Sequence, residues 1–206
     1  ECDTGLNTGG MGAVSPVPFA NEEFNRKVEE RVVRPTIEGL QKDGIDYKGF
    51  VFFGLMNVGG DPYVIEYNVR MGDPETEVVM PRLKTDVLSL FEAMAKGELE
   101  QAAFELDDRF CTTVMLVSQG YPGDYEKGKE ITGIPDVKGS IVFHAGTKLV
   151  DGQIVTAGGR VLGVTATADT LEAAIDKAYQ AADKITFTDM HMRRDIGQRA
   201  LASRKE

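Results

Sequence analysis

Val64-Ile65-Glu66-Tyr67-Asn68-Val69-Arg70-Met71-Gly72-Asp73-Pro74-Glu75-Thr76 is the most informative stretch of the chain. Its first half alternates. Successive side chains of a strand point to opposite faces, so Tyr63, Ile65 and Tyr67 share one face and Val64, Glu66 and Asn68 the other. Upstream, Phe50 to Val58 is almost wholly apolar and reads as a buried central strand. Gly59-Gly60-Asp61 turns that run back into the alternating strand, which predicts a hairpin. Downstream, Asp73 is expected to cap a helix with Pro74 at its first position, running to about Leu83. A second helix, capped by Asp86, carries Val87, Leu88, Leu90, Phe91 and Met94 and stops at Gly97.

The pair Glu66 and Asn68 sits on one face of a strand expected to be buried. An unpaired buried carboxylate is expensive, so Glu66 needs a cation or a set of donors. Two oxygen ligands about 7 Å apart along a strand can converge on one hard ion such as Mg²⁺. The residues alone leave open a simpler reading, a salt-bridged Glu66 on a half-exposed strand. Arg70 can fork onto a carboxylate or phosphate, Gly72 lets a ligand approach the backbone, and Asp73 can accept from an amine. The plainer alternative makes Asp73 a helix cap and pairs Arg70 with a neighbouring carboxylate.

Working outward, residues 3–19 carry Gly5, Gly9, Gly10, Gly12, Pro16 and Pro18 with no helix or strand period, so a shaped loop is expected. Its segment Asn7-Thr8-Gly9-Gly10-Met11-Gly12 can offer backbone N–H groups to an anion. It matches neither the P-loop nor the dinucleotide fingerprint. Asn21 then caps a helix in which Phe24, Val28 and Val32 step by four, with Pro35 expected to break or kink it. From Phe110 the pattern predicts strands at 110–118, 140–145, 147–150, 153–157 and 160–167, with Asp151-Gly152 as a tight turn. Thr170 caps a helix whose buried stripe is Leu171, Ala174, Ile175, Ala178 and Tyr179. The change of composition near 98–109 divides the chain into 1–100 and a β-rich 101–206. Gly158-Gly159-Arg160 reads as a tight turn with a solvated arginine, His144 as a satisfied core histidine, and Arg193-Arg194 as a solvated helix face.

Charge narrows the function classes. With 33 Asp and Glu against 23 Lys and Arg, the net charge of −10 disfavours a nucleic-acid partner. No run approaches the roughly 20 apolar residues of a membrane helix, so no membrane partner is expected. Two cysteines and two histidines are too few for a Cys/His zinc site. Cys2 and Cys111 read as free thiols of a reducing, cytoplasmic compartment. No signal-peptide pattern precedes the opening Glu1-Cys2-Asp3, which lacks an initiator Met and suggests a piece of something longer. Gly-x-Ser-x-Gly and His-Glu-x-x-His are both absent.

Taken together, 7–13 and 64–76 resemble the glycinamide ribonucleotide synthetase (phosphoribosylamine–glycine ligase) family of the ATP-grasp superfamily. So do Val142-Phe143-His144-Ala145-Gly146-Thr147, Gly158-Gly159-Arg160-Val161-Leu162-Gly163-Val164-Thr165 and Arg193-Arg194-Asp195-Ile196-Gly197. The resemblance implies an α+β fold. Residues 1–100 would be the second lobe of an ATP-grasp unit, an antiparallel sheet with helices, and 101–206 a β-rich C-terminal domain of hybrid-barrel type. The family's N-terminal domain and first ATP-grasp lobe have no counterpart here. The missing N-terminal half is therefore an implied partner, and the chain alone is expected to be inactive. By resemblance, Glu66 and Asn68 are ligands of Mg²⁺ (or Mn²⁺) bridging the phosphates of the co-substrate ATP, and Leu55 lies on the nucleotide wall. Arg70 and Asp73 become catalytic; Asp3, Asn7, Thr8, Gly9, Gly10, Gly72 and Pro74 become substrate-binding. Arg160 looks like the arginine near the ribose phosphate. The implied reaction joins glycine to 5-phosphoribosylamine through glycyl phosphate, in purine biosynthesis. A non-catalytic metal- or phosphate-binding module and a β-rich structural adaptor are the alternatives. Leu6 stands where the family usually has Pro and Val14 where it usually has Tyr. Gly54 lies where many ATP-grasp enzymes carry a metal carboxylate, which leaves the strand pair short of ligands.

Overall fold

The computed structural model describes residues 4–203, so Cys2 and the site expectation at Asp3 lie outside the described residues. Two compact units divide the chain. Residues up to Pro16, Asp73–Arg82 and residues from Asp107 onward form the larger; Val17–Gly72 and Leu83–Leu106 form the smaller. The single boundary expected near 100 thus meets only the last of several crossings. Composition marks where the strand-rich pattern starts, but distant segments join the later sheet through backbone pairing.

In the larger unit β4 (Phe110–Ser118) and β8 (Arg160–Ala168) pair antiparallel at the centre of the sheet. β5 (Ile141–His144) lies on the far side of β8, and the short β9 (Met190–His191) pairs with β4. The opening segment is not all loop: β1 (Gly12–Ser15) pairs with β4, Gly12 opposite Val114. No periodicity announces this strand, because Gly12 serves close approach. A Cβ there would lie 2.7 Å from both Ile196 Cγ2 and the Thr113 carbonyl. Val114, Met115, Leu116, Val161, Leu162 and Val164 are fully withdrawn from solvent. α5 (Leu171–Ala182) is capped by the Thr170 hydroxyl and buries Leu171, Ala174, Ile175 and Ala178, as its 3.6-residue period predicts. β6 (Thr147–Val150) and β7 (Gln153–Thr156) form a hairpin across Asp151 and Gly152, both left-handed at φ 49° and 83°.

Two smaller expectations are corrected in this unit. His144 is exposed, with Nδ1 3.0 Å from the Thr147 hydroxyl, so it is no core histidine. Arg193 and Arg194 lie in a loop: Arg193 forks onto Asp195 at 2.8 and 2.7 Å, and Arg194 meets Asp183 at 2.7 Å. Cys111 is a buried free thiol, and burial pushes its pKa up.

The smaller unit begins with α1 (Glu22–Val28), where Asn21 Oδ1 accepts from the Phe24 N–H at 2.9 Å. Pro35 does not break the run. Glu29–Val33 widens into a π-helical turn directly before α2 (Arg34–Lys42), and this wider turn accommodates Pro35, whose ring has no N–H to give the preceding turn. β2 (Phe52–Val58) and β3 (Asp61–Asn68) form the expected hairpin. It is not a buried layer: Tyr63 is 59% and Ile65 64% exposed. At its turn, Asp61 takes Lys27 at 3.0 Å and Arg31 at 2.9 Å, and the Lys27 hydrogen bond holds its carboxyl below the usual range. The helix expected over 74–83 contracts to α3 (Thr76–Val79) and a 3₁₀ turn, both part of the larger unit. α4 (Val87–Lys96) keeps its Asp86 cap and ends at left-handed Gly97. A short α6 (Gln198–Ala202) closes the order. Among the described residues no helix is long and apolar enough to cross a membrane.

Candidate functional site

Arg160 opens β8 directly after Gly158-Gly159, and its side chain is only 22% exposed. Its Nη1 donates to the Asp73 carbonyl at 2.8 Å and the Gly10 carbonyl at 3.2 Å, and lies 3.1 Å from Asp73 Oδ1. The expected solvated turn arginine is instead a tie between three remote segments. Nε and Nη2 carry no hydrogen bond to a described residue, so one edge of the guanidinium fork stays open to an anion. Asp73 is correspondingly not a helix cap. Glu75 precedes α3, and the Asp73 carboxylate faces Arg160.

Gly9 and Gly10 of the opening loop are there for space. A Cβ on Gly10 would sit 2.3 Å from Pro74 Cδ, and one on Gly9 would sit 2.9 Å from Tyr121 Oη and 3.3 Å from Arg160 Cζ. The Gly9 N–H is not open to an anion, because it donates to Tyr121 Oη at 3.1 Å. Asn7 is exposed and Thr8 half-buried on the same loop.

Glu77, on α3, is a neighbour that sequence reasoning misses. Its Cγ lies 3.7 Å from the Cβ position of Gly163 on β8, and its buried Oε2 has no hydrogen-bond partner. Burial pushes its pKa up; Asp73 and Glu75 add to this and Arg160 opposes it. An acid whose folded pKa is raised leaves stability intact while it is protonated in both states. That stability is lost as pH climbs through the folded value. Glu77→Gln should therefore flatten the decline above the ordinary glutamate range. Thermal unfolding of both proteins across pH checks it, and parallel profiles would sink the idea.

In the smaller unit, Asn68 Nδ2 donates to Glu66 Oε1 at 3.1 Å, so the two side chains share a face as the alternation predicts. Glu66 is exposed, however, and the argument from a buried unpaired carboxylate does not hold. Gly54 stands opposite Glu66, and a Cβ there would lie 2.8 Å from Glu66 Cγ. Gly54 thus supplies room for the carboxylate where a ligand was lacking. A carboxylate beside an amide oxygen is a hard donor set that fits a divalent cation whose other ligands come from outside the strand pair. Among the described residues no group of three or more His, Cys, Asp or Glu could hold a metal alone. Arg70 Nη1 donates to the adjacent Met71 carbonyl at 2.9 Å, rather than to a carboxylate. Gly72 is buried, and Leu55 is half-buried beside the register shift in β2.

Tyr121 is the second residue missed. A bulky ring within Gly120-Tyr121-Pro122-Gly123 was the available signal, since an aromatic in a tight turn gains only by packing on something.

Known proteins place these segments. Residues 1–76 match the family described as phosphoribosylglycinamide synthetase, ATP-grasp (A) domain, and 111–199 match phosphoribosylglycinamide synthetase, C domain. A phosphoribosylamine–glycine ligase of Chlorobaculum tepidum is 50% identical over 204 residues, covering 98% of this chain and 48% of that protein. One from Vibrio cholerae is 47% identical, over 98% of this chain and 48% of its own length. The crystal structure of phosphoribosylamine–glycine ligase from Thermotoga maritima superposes with a TM-score of 0.83 at 41% identity, covering 94% of this chain and 48% of that one. A biotin carboxylase domain from Hydrogenobacter thermophilus shares the fold alone, at a TM-score of 0.60 and 17% identity over 88% of this chain and 40% of that one. The chain spans about half the length of the curated relatives it matches. With both family matches in order along one chain and relatives near half identity, this chain belongs to the phosphoribosylglycinamide synthetase family.

Proposed function

We propose that the polypeptide carrying this chain is an ATP-dependent carbon–nitrogen ligase that condenses glycine with 5-phosphoribosylamine in purine biosynthesis. The observation that carries the reading is Arg160, tied to Gly10 and Asp73 with one edge of its fork open. That edge suits the phosphate of the ribosyl substrate, and Gly9, Gly10 and Pro74 shape the space beside it. Asn7 and Thr8 of the same loop and, separately, Gly72 of the smaller unit are assigned to substrate binding by the family resemblance, and Leu55 to the nucleotide wall.

Glu66 and Asn68 would hold a divalent cation, magnesium or manganese, whose charge offsets that of the ATP phosphates. A glycine carboxylate oxygen bonds to the γ-phosphorus as the bond to ADP breaks. The substrate amine nitrogen then bonds to the acyl carbon, phosphate leaves, and the nitrogen loses a proton. Arg70, exposed with its fork largely open, neutralises charge on a carboxylate or phosphate; Asp73 orients Arg160. The protein's work is positioning and charge neutralisation.

We assign 1–100 to the second ATP-grasp lobe, with its segments up to Pro16 and at Asp73–Arg82 belonging to the larger unit, and 101–206 to a C-terminal domain of hybrid-barrel type, supported by the order of the two family matches. The remaining half of the relatives' length is the proposed partner of this chain, which should not turn over alone. A cytoplasmic location is proposed with it, supported by the buried free thiol of Cys111.

Phosphate release by the full-length polypeptide with ATP, glycine and phosphoribosylamine tests the activity. Arg160→Ala should raise the KM for phosphoribosylamine by roughly 10- to 100-fold, the size of a lost charge-assisted fork, and leave the KM for ATP unchanged. An unchanged phosphoribosylamine KM would remove the phosphate assignment.

A further inference from the structure

We propose that Tyr121 is a positioning residue for the phosphate end of this site: it sets the spacing between the opening loop and Arg160. The inference rests on the reading of Arg160 as the phosphate-binding arginine.

Two contacts of Tyr121 carry it. Its hydroxyl accepts the Gly9 N–H at 3.1 Å, one residue before the carbonyl that receives Arg160. Its ring covers Gly159, one residue before Arg160 itself. A Cβ on Gly159 would fall 2.2 Å from Tyr121 Cδ2 and 3.0 Å from Tyr125 Cε1. The same tyrosine thus touches the neighbour of each partner in the Gly10–Arg160 hydrogen bond. Two parallel links, Gly9–Tyr121 and Gly10–Arg160, hold loop and guanidinium together.

The turn that carries Arg160 is gripped by the segment just before Tyr121. The Ser118 N–H donates to the Gly159 carbonyl at 2.8 Å, and its hydroxyl donates to the Gly158 carbonyl at 3.1 Å. The Tyr121 N–H in turn donates to the Ser118 carbonyl at 3.1 Å. Tyr121 packs against the main core of the larger unit, which anchors the arrangement to the buried side chains of the sheet. Tyr121 makes no direct bond to Arg160 among the described residues. Its action therefore runs through the geometry of the loop and turn, and a bidentate contact is sensitive to that geometry.

The test uses the full-length polypeptide and steady-state kinetics with all three substrates. Tyr121→Phe keeps the ring over Gly159 and removes only the acceptor for Gly9. It should raise the KM for phosphoribosylamine about threefold to tenfold, the size of one net hydrogen bond, with kcat and the KM for ATP within twofold. In the Arg160→Ala background the same change should have no further effect on that KM, because the group it positions is gone. A wild-type KM in Tyr121→Phe, or additive effects in the double variant, overturns the proposal while a raised KM in Arg160→Ala leaves the phosphate reading standing. An unchanged KM in Arg160→Ala overturns both.

Discussion

Glu66→Gln is expected to cut ligase turnover of the full-length polypeptide by roughly 100-fold or more, since a catalytic metal supplies several kcal/mol of charge stabilisation. The same substitution should leave folding nearly untouched. Glu66 is exposed, and its hydrogen bond comes from the Asn68 amide, which a glutamine oxygen accepts equally well. Nothing in the fold therefore needs the negative charge, whereas the proposed divalent cation would. Surface changes away from caps and cores usually stay within about 0.5 kcal/mol, so an unchanged unfolding midpoint should accompany the lost turnover. The loss should deepen as free Mg²⁺ is lowered. Near-normal turnover at limiting Mg²⁺ would show that this strand pair holds no metal.

The second large effect is steric. Gly10→Ala would place a methyl carbon 2.3 Å from Pro74 Cδ and 3.4 Å from the Asp73 carbonyl. Pro74 is buried and its ring is locked to the backbone, so it has no rotamer in which to yield. The opening loop or the 73–74 segment must move instead, and both are tied to Arg160 Nη1. A displacement of about 1 Å at such a site costs on the order of 100-fold. We expect kcat/KM for phosphoribosylamine to fall by that amount, with a stability loss of about 1–3 kcal/mol from overpacking. Kinetics within threefold of wild type would mean that the loop tolerates the shift and that its register with Asp73 is not part of the site.

Local chemistry is sufficient wherever a signal is complete within a few residues. The caps at Asn21, Asp86 and Thr170, the stop at Gly97 and the Asp151-Gly152 turn are all legible this way, since each satisfies backbone groups next to it. So is the shared face of Glu66 and Asn68, which strand alternation dictates. Burial is different. The apolar run 50–58 reads as a central strand, yet among the described residues β2 pairs with β3 alone, because exposure depends on what the rest of the chain lays over a face. β1 was invisible for a related reason: its glycine is chosen for approach to Thr113 and Ile196, not for strand period. The site divides along the same line. Residue types alone mark Gly9, Gly10 and Asp73 as candidate ligand groups, whereas Arg160 reads as a solvated turn residue and joins them only through the family resemblance. Their meeting is tertiary, for Arg160 reaches a carbonyl 87 residues away at Asp73 and another 150 residues away at Gly10. A guanidinium reads as solvated in its own turn until the sheet brings those acceptors to it, and only that meeting leaves the open edge on which the proposed phosphate site rests.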